Sequence, residues 1–352
     1  MRLRFEHGRR DDLETLHPAY FALVMATGIV SIAAYLHGIP MLPTFLFWLN
    51  ALFLAGLAAA TGARILRYPR AFAADIQSHS RGVGFFTTVA ATAVFGTELV
   101  LQMEAARIAA VFWIAAAALW FVTTYGVLAV LTAKPDKPSL ADGLNGAWLV
   151  SVVAFQSVVI LTVLTAGVFV GLERSLLFWA LVLWLGGGAL YLWIITLIFF
   201  RYTFVPMAPE DLTPPYWINM GAVAISTLAG ATLIEHAALS PVVVEIMPFV
   251  KGFTLFFWAI ATLWIPMLLV LGVWSYLICG VPLAYDPLYW GGVFPLGMYS
   301  VATYNLANIL ATPLLLPLSQ LFMIIAVLAW AVTFAGLVDS RLNRGSRAQQ
   351  SD

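Results

Sequence analysis

The sequence has few charged residues. Charged side chains make up 10% of its 352 residues, hydrophobic ones make up 62%, and the mean hydropathy is +0.94. Because a typical soluble domain has about 25% charged residues, this composition excludes an ordinary soluble protein and predicts one whose apolar surface faces lipid. The formal net charge is zero, so the basic surface that a nucleic-acid partner requires is missing, and we expect no nucleic-acid partner.

Cysteine and clustered metal ligands are also scarce. Cys279 is the single cysteine, which excludes an internal disulfide and a thiolate cluster. The five histidines are scattered, and no spacing typical of a metal site, a phosphate-binding loop or a nucleophile elbow is present. We therefore expect no enzyme, no catalytic residue, no metal and no cofactor.

Long apolar runs dominate the chain instead. A membrane-spanning helix needs about 20 apolar residues and satisfies its own backbone hydrogen bonds. The runs predict an all-α polytopic membrane domain at 19–338, with an N-terminal tail at 1–18 that is too charged for a cleaved signal peptide and a C-terminal tail at 339–352. The ten predicted spans, which short breaks join into five helical hairpins, are 19–37, 42–66, 82–101, 107–131, 143–166, 175–200, 215–236, 249–279, 288–312 and 316–338.

The basic residues indicate an orientation. Fourteen of the 17 Lys and Arg residues fall in the two tails or at and after the ends of the even spans, and three fall on the other side. Since Lys and Arg concentrate on the cytoplasmic side, both tails are predicted to be cytoplasmic in a plasma (inner) membrane. Arg64, Arg67 and Arg70 are interpreted as orientation determinants. Asp75 and His79 are interpreted as parts of a solvated loop, with the inner mouth of the pore as the alternative.

The odd spans repeat a pattern. Each opens with an aromatic element, "PAYF", "GFF", "GAW", "PYW" or "LYW", at intervals of 65, 62, 69 and 73 residues. An aromatic belt at the membrane interface is the alternative explanation. The odd spans also carry more Ser, Thr, Asn and Gln than the even spans, and such residues avoid lipid. We therefore predict a quasi-fivefold ring in which the odd helices line a central pore and the even helices face lipid.

The stretch "WGGVFPLGMYS" at 290–300 interrupts the ninth span. Four residues after the aromatic position, the five odd spans carry one rigid ring, Phe294, among smaller or more flexible side chains: Met25, Ala90, Val152 and Gly221. Pro295 and Gly297 are predicted to bend the helix and to turn Phe294 into the pore as its gate. The alternative is a packing phenylalanine beside an ordinary membrane-helix proline. Asp286 is predicted to cap the ninth span.

The inner spans have no ionisable residue at mid-depth. Glu98, Glu235 and His236 lie near the outer ends of their spans, so the acidic rings of a cation path are missing. Neutral hydroxyl donors favour a small anion instead. The alternative for most of these residues, taken one by one, is hydrogen bonding between helices. The candidate pore-lining residues are Met25, Thr27, Gly28, Ser31, Thr88, Thr92, Ser151, Ser157, Gly221, Ser226, Ser300 and Thr303.

Two segments, "HPAYFALVMATGIVSIA" at 17–33 and "YWGGVFPLGMYSVAT" at 289–303, resemble the tellurite-resistance/dicarboxylate transporter family, which includes slow anion channels, malate permeases and sulfite pumps. The resemblance implies a ring of five inner helices closed by a phenylalanine, here Phe294, and a homotrimer with one pore per subunit. The resemblance implies proline kinks in several inner helices. This sequence differs, because among its inner spans only the ninth has a central proline, and Gly28, Gly96 and Gly221 are possible flexible points instead.

The opening segment is most similar to the malate permeases and sulfite pumps. It therefore implies transport of C4-dicarboxylates such as malate, or of a related organic or oxo-anion. The alternatives are a passive chloride or nitrate channel and a sulfite- or tellurite-related efflux protein. A membrane scaffold or sensor without flux is a remote alternative.

Overall fold

The computed structural model describes residues 12–282 and 285–349, except the side chains of 341 and 343–349. The described part is helical and contains no strand. Most of the predicted N-terminal tail, including its four arginines, lies outside the described residues, as does the end of the C-terminal tail.

Ten long helices follow the predicted spans, and most of their ends differ by several residues or fewer. The last helix continues to Gln349, 11 residues beyond its predicted span and through most of the predicted C-terminal tail. The eighth helix is followed directly by a short π-helix, Val273–Ile278. The helices are α1 (Ala22–Leu36), α2 (Leu42–Arg67), α3 (Phe86–Met103), α4 (Ala106–Ala133), α5 (Val150–Thr165), α6 (Glu173–Phe204), α7 (Ile218–Glu235), α8 (Met247–Gly272), α9 (Trp290–Ile309) and α10 (Leu316–Gln349).

Nine helical segments in the described residues are long and apolar enough to cross a membrane. The remaining long helix, α9, contains three glycines, a proline, two tyrosines and two asparagines among its 20 residues, and these lower its hydropathy. Most of α9 is nevertheless buried in the protein. A helix enclosed by other helices does not need the apolar surface that lipid demands.

The helices form two layers, as predicted. In the central segments of α1, α3, α5 and α7, between 78% and 89% of the residues are buried, whereas the corresponding share in the five even helices is between 17% and 39%. A helix that is apolar on all sides is stable only when it is surrounded by protein or lipid. The odd helices are therefore the inner layer, and the even helices present the lipid-facing surface.

The inner layer is a closed ring. Each odd helix packs against the next one along the chain, and α9 returns to pack against α1. Each even helix packs against its own hairpin partner and also against the next inner helix, with α10 covering both α9 and α1. This arrangement confirms the prediction of five hairpins in a quasi-fivefold ring.

A collar of five 3-10 turns precedes the inner helices and carries the repeated aromatic elements. Each turn contacts the next, and the last contacts the first, so all five inner helices begin on the same side of the ring. We call this the N side and the opposite side the C side. The turns are Pro18–Phe21, Gly82–Phe85, Gly146–Leu149, Pro214–Trp217 and Pro287–Tyr289.

The collar is packed through glycine. A Cβ atom added at Gly146 would lie 2.6 Å from the Cα of Tyr216, and one added at Gly84 would lie 3.0 Å from the backbone nitrogen of Ala19. Only glycine allows such close approach of two backbones. The side chain of Asp286 accepts a hydrogen bond from the Leu288 N–H (2.7 Å), which confirms the predicted cap.

An ion-pair cluster ties the N-terminal segment to the loop before α3. Asp75 is 7% exposed, which makes the prediction of a solvated Asp75 wrong. Arg64 Nη1 lies 2.7 Å from Asp75 Oδ2, and Arg81 Nε lies 2.6 Å from Asp75 Oδ1. The attraction of two guanidinium groups offsets the free energy that the carboxylate loses when it is removed from water. Arg64 Nε also donates to the Glu14 carbonyl (3.1 Å), so the cluster fixes residues on both sides of α2.

His17 lies beside this cluster, immediately before α1 and its collar turn. Its Nδ1 accepts a hydrogen bond from the Ala19 N–H (3.1 Å). Burial, assisted by the positive charge of Arg81, lowers the pKa of His17 to about 4. The ring is therefore neutral at physiological pH, and a neutral ring can act as the acceptor in this cap.

Candidate functional site: the axis of the inner ring

The hydrogen bonds of α9 to the outer layer show which way its side chains point. Thr303 Oγ1 accepts a hydrogen bond from Trp258 Nε1 of α8 (3.0 Å), and Ser300 Oγ donates to the Ser319 carbonyl of α10 (2.8 Å). At about 100° per residue, these two positions lie roughly 180° and 240° around the helix from Phe294. Phe294 is therefore on the side of α9 opposite to the outer layer.

The contacts of α9 with its two inner neighbours, α7 and α1, indicate the same direction for Phe294. Pro295 packs at the position of Gly221 in α7, where an added Cβ would lie 2.8 Å from Pro295 Cγ. Gly297 packs against α1, where an added Cβ would lie 2.9 Å from Ile29 Cγ2. Phe294 lies between these two contacts, faces the axis and is 1% exposed. The helix α9 continues through Pro295, whose ring occupies the space left by Gly221.

The same reasoning places Met25 on the inward face of α1. Thr27 Oγ1 accepts a hydrogen bond from Trp330 Nε1 of α10 (3.0 Å), and Ser31 Oγ donates to the Pro43 carbonyl at the start of α2 (3.0 Å). These positions lie roughly 200° and 240° from Met25 around the helix. The hydroxyls of Thr27 and Ser31 therefore link the inner to the outer layer.

On α3 the predicted hydroxyls also face outward. The Phe95 ring packs on aromatic rings of both flanking outer helices, α2 and α4. Thr88 and Thr92 lie roughly 20° and 60° from Phe95 and are half-buried. Ala93 and Thr97 lie roughly 160° and 200° from Phe95, so they face the axis. Thr97 was not among the predicted lining residues.

On α5 the inward hydroxyl is Ser157. Phe155 packs edge-on against Trp120 of α4 (4.9 Å between ring centres), and Gln156 donates to a backbone carbonyl of α6 (3.1 Å). Val152 lies between these two directions and therefore faces outward. Ser157 lies roughly 100° from Gln156 and 200° from Phe155, which turns it toward the axis.

On α7, Gly221 is the predicted residue that lies on the inward side. Trp184 Nε1 of α6 donates to the Ser226 carbonyl (2.8 Å), and Asn219 Nδ2 donates to Tyr202 Oη of α6 (3.0 Å). Ser226 and Asn219 therefore mark the outward face, and Gly221 lies roughly 140° and 200° from them.

The remaining predicted residues face neither lipid nor the axis. Gly28 packs toward α2 and α3, because a Cβ added there would lie 2.8 Å from Asn50 Nδ2 and 2.9 Å from Glu98 Oε2. Ser151 Oγ donates to the carbonyl of Trp148 in its own collar turn (2.7 Å).

By their rotation about each helix, Met25, Ser157 and Phe294 lie on the inward faces of their helices, and Gly221 lies on the inward side of α7 where it packs against Pro295. Seven others lie on faces turned to the outer layer: Thr27, Ser31, Thr88, Thr92, Ser226, Ser300 and Thr303. The inward face is mostly apolar near Phe294 and less hydroxylated than the sequence predicts. The reason is that hydroxyls in a membrane interior serve helix packing as readily as solute contact.

The fold and its axis define a polytopic membrane protein of five helical hairpins around a central ring. The model of the Voltage-dependent anion channel family matches residues 15–338, which include the collar and almost the whole ten-helix domain. The chain therefore belongs to the Voltage-dependent anion channel family, and it is an anion transporter or channel rather than a member of an enzyme family.

Relatives agree with this assignment. An uncharacterized membrane protein of Mycobacterium tuberculosis (strain H37Rv) is 36% identical over 149 residues, which cover 42% of this chain and 75% of that protein. Two uncharacterized transporters of Methanocaldococcus jannaschii are 25% and 24% identical over 301 and 303 residues. These matches cover 83% and 84% of this chain and 85% and 84% of those proteins.

Proposed function

We propose that the protein moves small anions along the axis of its inner ring and that Phe294 closes this path. The observation that carries the proposal is the position of Phe294, which is fully buried and lies between the contact of Gly297 with α1 and the contact of Pro295 with α7. An apolar constriction stops ions because they cannot keep their hydration within it. Met25, Ser157 and Gly221 are the lining residues that accompany the gate in this proposal, with Pro295 and Gly297 holding its backbone.

C4-dicarboxylates such as malate, or a related oxo-anion, are the first proposed substrates. Their support is the resemblance of the opening segment to malate permeases and sulfite pumps, together with the uncharged inward hydroxyls of Thr97 and Ser157. The second candidate is passive passage of a monovalent anion such as chloride or nitrate. The apolar surroundings of Phe294 favour it, because a dianion loses more hydration energy than a monovalent ion. The homotrimer and the cytoplasmic tails remain predictions.

Phe294→Ala tests the gate in proteoliposomes loaded in turn with malate, sulfite, nitrate or chloride. Removal of the ring is expected to increase anion flux by about tenfold or more, which corresponds to a barrier lowered by at least about 1.4 kcal/mol. Phe257→Ala is the matched control, because Phe257 is also a fully buried phenylalanine but belongs to the outer helix α8 and packs at Gly188 of α6. It is expected to leave the flux at the wild-type level.

The panel also separates the two substrate candidates. Saturable malate uptake supports the carrier, and non-saturable chloride or nitrate flux supports the channel. A folded Phe294→Ala protein with unchanged flux would remove Phe294 from its proposed role, and no flux for any anion at any pH would refute transport itself.

A further inference from the structure

A carboxyl group is completely buried where α1, α2 and α3 meet. Glu98 is 0% exposed and lies five residues before the C-side end of α3. Its Oε2 accepts a hydrogen bond from Asn50 Nδ2 of α2, which is also 0% exposed (2.6 Å). Gly28 of α1 packs against both side chains, with an added Cβ falling within 3 Å of each. The group therefore lies directly against an inner helix.

This pair has unused hydrogen-bonding capacity. Glu98 Oε1 and Asn50 Oδ1 are both buried without a hydrogen-bond partner in the part of the chain that the structure describes. The nearby Ser31 hydroxyl donates to the Pro43 carbonyl and accepts from Gln102. The pair thus has an unused acceptor, Asn50 Oδ1, and an unused oxygen, Glu98 Oε1. A proton bound to the carboxyl group of Glu98 could be donated in a hydrogen bond to the unused acceptor of Asn50.

Among the residues that the structure describes, no cation forms an ion pair with the carboxyl. The described ion pairs do not include Glu98, and Arg64 at the far end of α2 is held by Asp75. Glu104, just after α3, is exposed. The other titratable side chains on the elements packed against α3, none of which forms a described hydrogen bond to Glu98, are Tyr20, Tyr35, Arg67, Arg107 and Tyr125.

A buried carboxylate with one hydrogen-bond donor and no counter-charge is strongly disfavoured relative to its hydrated form. The neutral acid avoids this cost, because it carries one O–H donor that matches the unused acceptor of Asn50. Ionisable groups retained inside a membrane at such a cost are commonly functional. Since Gly28 is within one turn of Met25, any change at the Glu98 site acts on the helix that lines the axis.

We propose that Glu98 is a proton-binding site that couples the state of the anion path to pH. The closed ring holds Glu98 as the neutral acid. Loss of the proton places a carboxylate against the backbone of α1 at Gly28, and its need for water separates α1 from α3 and favours the open ring. This inference rests on the proposed anion transport, and it predicts that flux increases as pH rises.

The proton site is tested without any anion by infrared spectroscopy of the reconstituted protein. At neutral pH the wild type is expected to show the C=O stretching band of a neutral carboxyl group, with the small shift that deuterium exchange causes. Glu98→Gln is expected to remove this band. Glu235→Gln, which removes an exposed carboxyl at the end of α7, is expected to keep it. A band that persists in Glu98→Gln would overturn the assignment.

The coupling is tested by the pH dependence of anion flux. Glutamine resembles the neutral acid, so Glu98→Gln is expected to give low flux at every pH, whereas Glu235→Gln keeps the rise with pH. If Glu98→Gln does not fold, Glu98→Asp, which keeps the titratable group, is expected to show a displaced pH profile. If the folded variant, Glu98→Gln or Glu98→Asp, shows the same pH dependence of anion flux as the wild type, the coupling is refuted. Absence of wild-type flux would refute the transport proposal, while the infrared result would still decide whether Glu98 binds a proton.

Discussion

Replacing Gly221 with alanine tests the packing of α7 against α9 beside the proposed gate. The new Cβ would lie 2.8 Å from Pro295 Cγ, 3.0 Å from Pro295 Cβ and 3.3 Å from Pro295 Cα. Carbon atoms in contact prefer separations of about 3.5–4.0 Å, so the two helices must move apart by several tenths of an ångström. The proline ring is fused to its backbone and cannot rotate away.

The expected cost follows from this overlap. Insertion of a methyl group into a well-packed interior typically costs about 1–3 kcal/mol. The rigid neighbour places Gly221→Ala in the upper part of that range, although alanine by itself favours a helix over glycine by about 1 kcal/mol. Because Phe294 directly precedes Pro295, the displacement of α9 also moves the gate.

Thermal unfolding of the purified protein measures the effect, and Gly252→Ala is the control. Gly252 lies inside α8 with no atom within 4 Å of an added Cβ, so alanine there is expected to leave the melting temperature unchanged or raise it. Gly221→Ala is expected to lower it and to change the anion flux. If Gly221→Ala melts at or above the wild-type temperature, α7 and α9 do not pack in the way described, and the direction assigned to Phe294 loses one of its supports.

Two further predictions concern the N side. Asp75→Ala leaves the guanidinium of Arg64, which is 3% exposed, without its carboxylate partner, and this is expected to cost about 3–5 kcal/mol of unfolding free energy. The melting temperature should therefore fall strongly. The control, Asp136→Ala in an exposed loop, should leave the melting temperature unchanged. Because the pKa of His17 is lowered from 6.5 to about 4, the unfolded state binds the proton first as pH falls, and stability should decrease between these values by up to roughly 3 kcal/mol and then level off. Asparagine in His17→Asn keeps an acceptor for the Ala19 N–H but does not titrate, so the melting temperature of this variant should fall less over this pH range than that of the wild type. An identical pH dependence in the variant and the wild type would contradict the lowered pKa of His17.

The sequence was sufficient to predict the two-layer ring of helices, but it predicted only some of the side chains that face the axis of the ring. Phe294 could be found because a single bulky ring beside Pro295 breaks the pattern of its span. The alignment on aromatic residues placed Val152 at the same level, yet Val152 faces outward. Trp148 is the third residue of its four-residue collar turn, whereas Phe21 and Trp217 are the last residues of theirs. A shift of one residue turns a helical position by about 100°.

Hydroxyl groups were a poor guide to the lining for a similar reason. Thr27 and Thr303 lie in inner helices, as expected of polar residues that avoid lipid, but they accept hydrogen bonds from Trp330 and Trp258 of the outer layer. The sequence records that a side chain is polar and which helix carries it. It does not record which neighbouring helix will satisfy it.

The sequence by itself determined the membrane class, the ten spans, their pairing into hairpins and the division into inner and outer helices, because these depend on local hydropathy, chain length and the cost of polar groups in lipid. Only the tertiary structure decided the collar of 3-10 turns, the inward faces of the five helices, the burial of Asp75 between two arginines and the meeting of Glu98 with Asn50 and Gly28. These features depend on the rotation of each helix about its own axis and on contacts between residues far apart in the chain. Packing of all ten helices together fixes both.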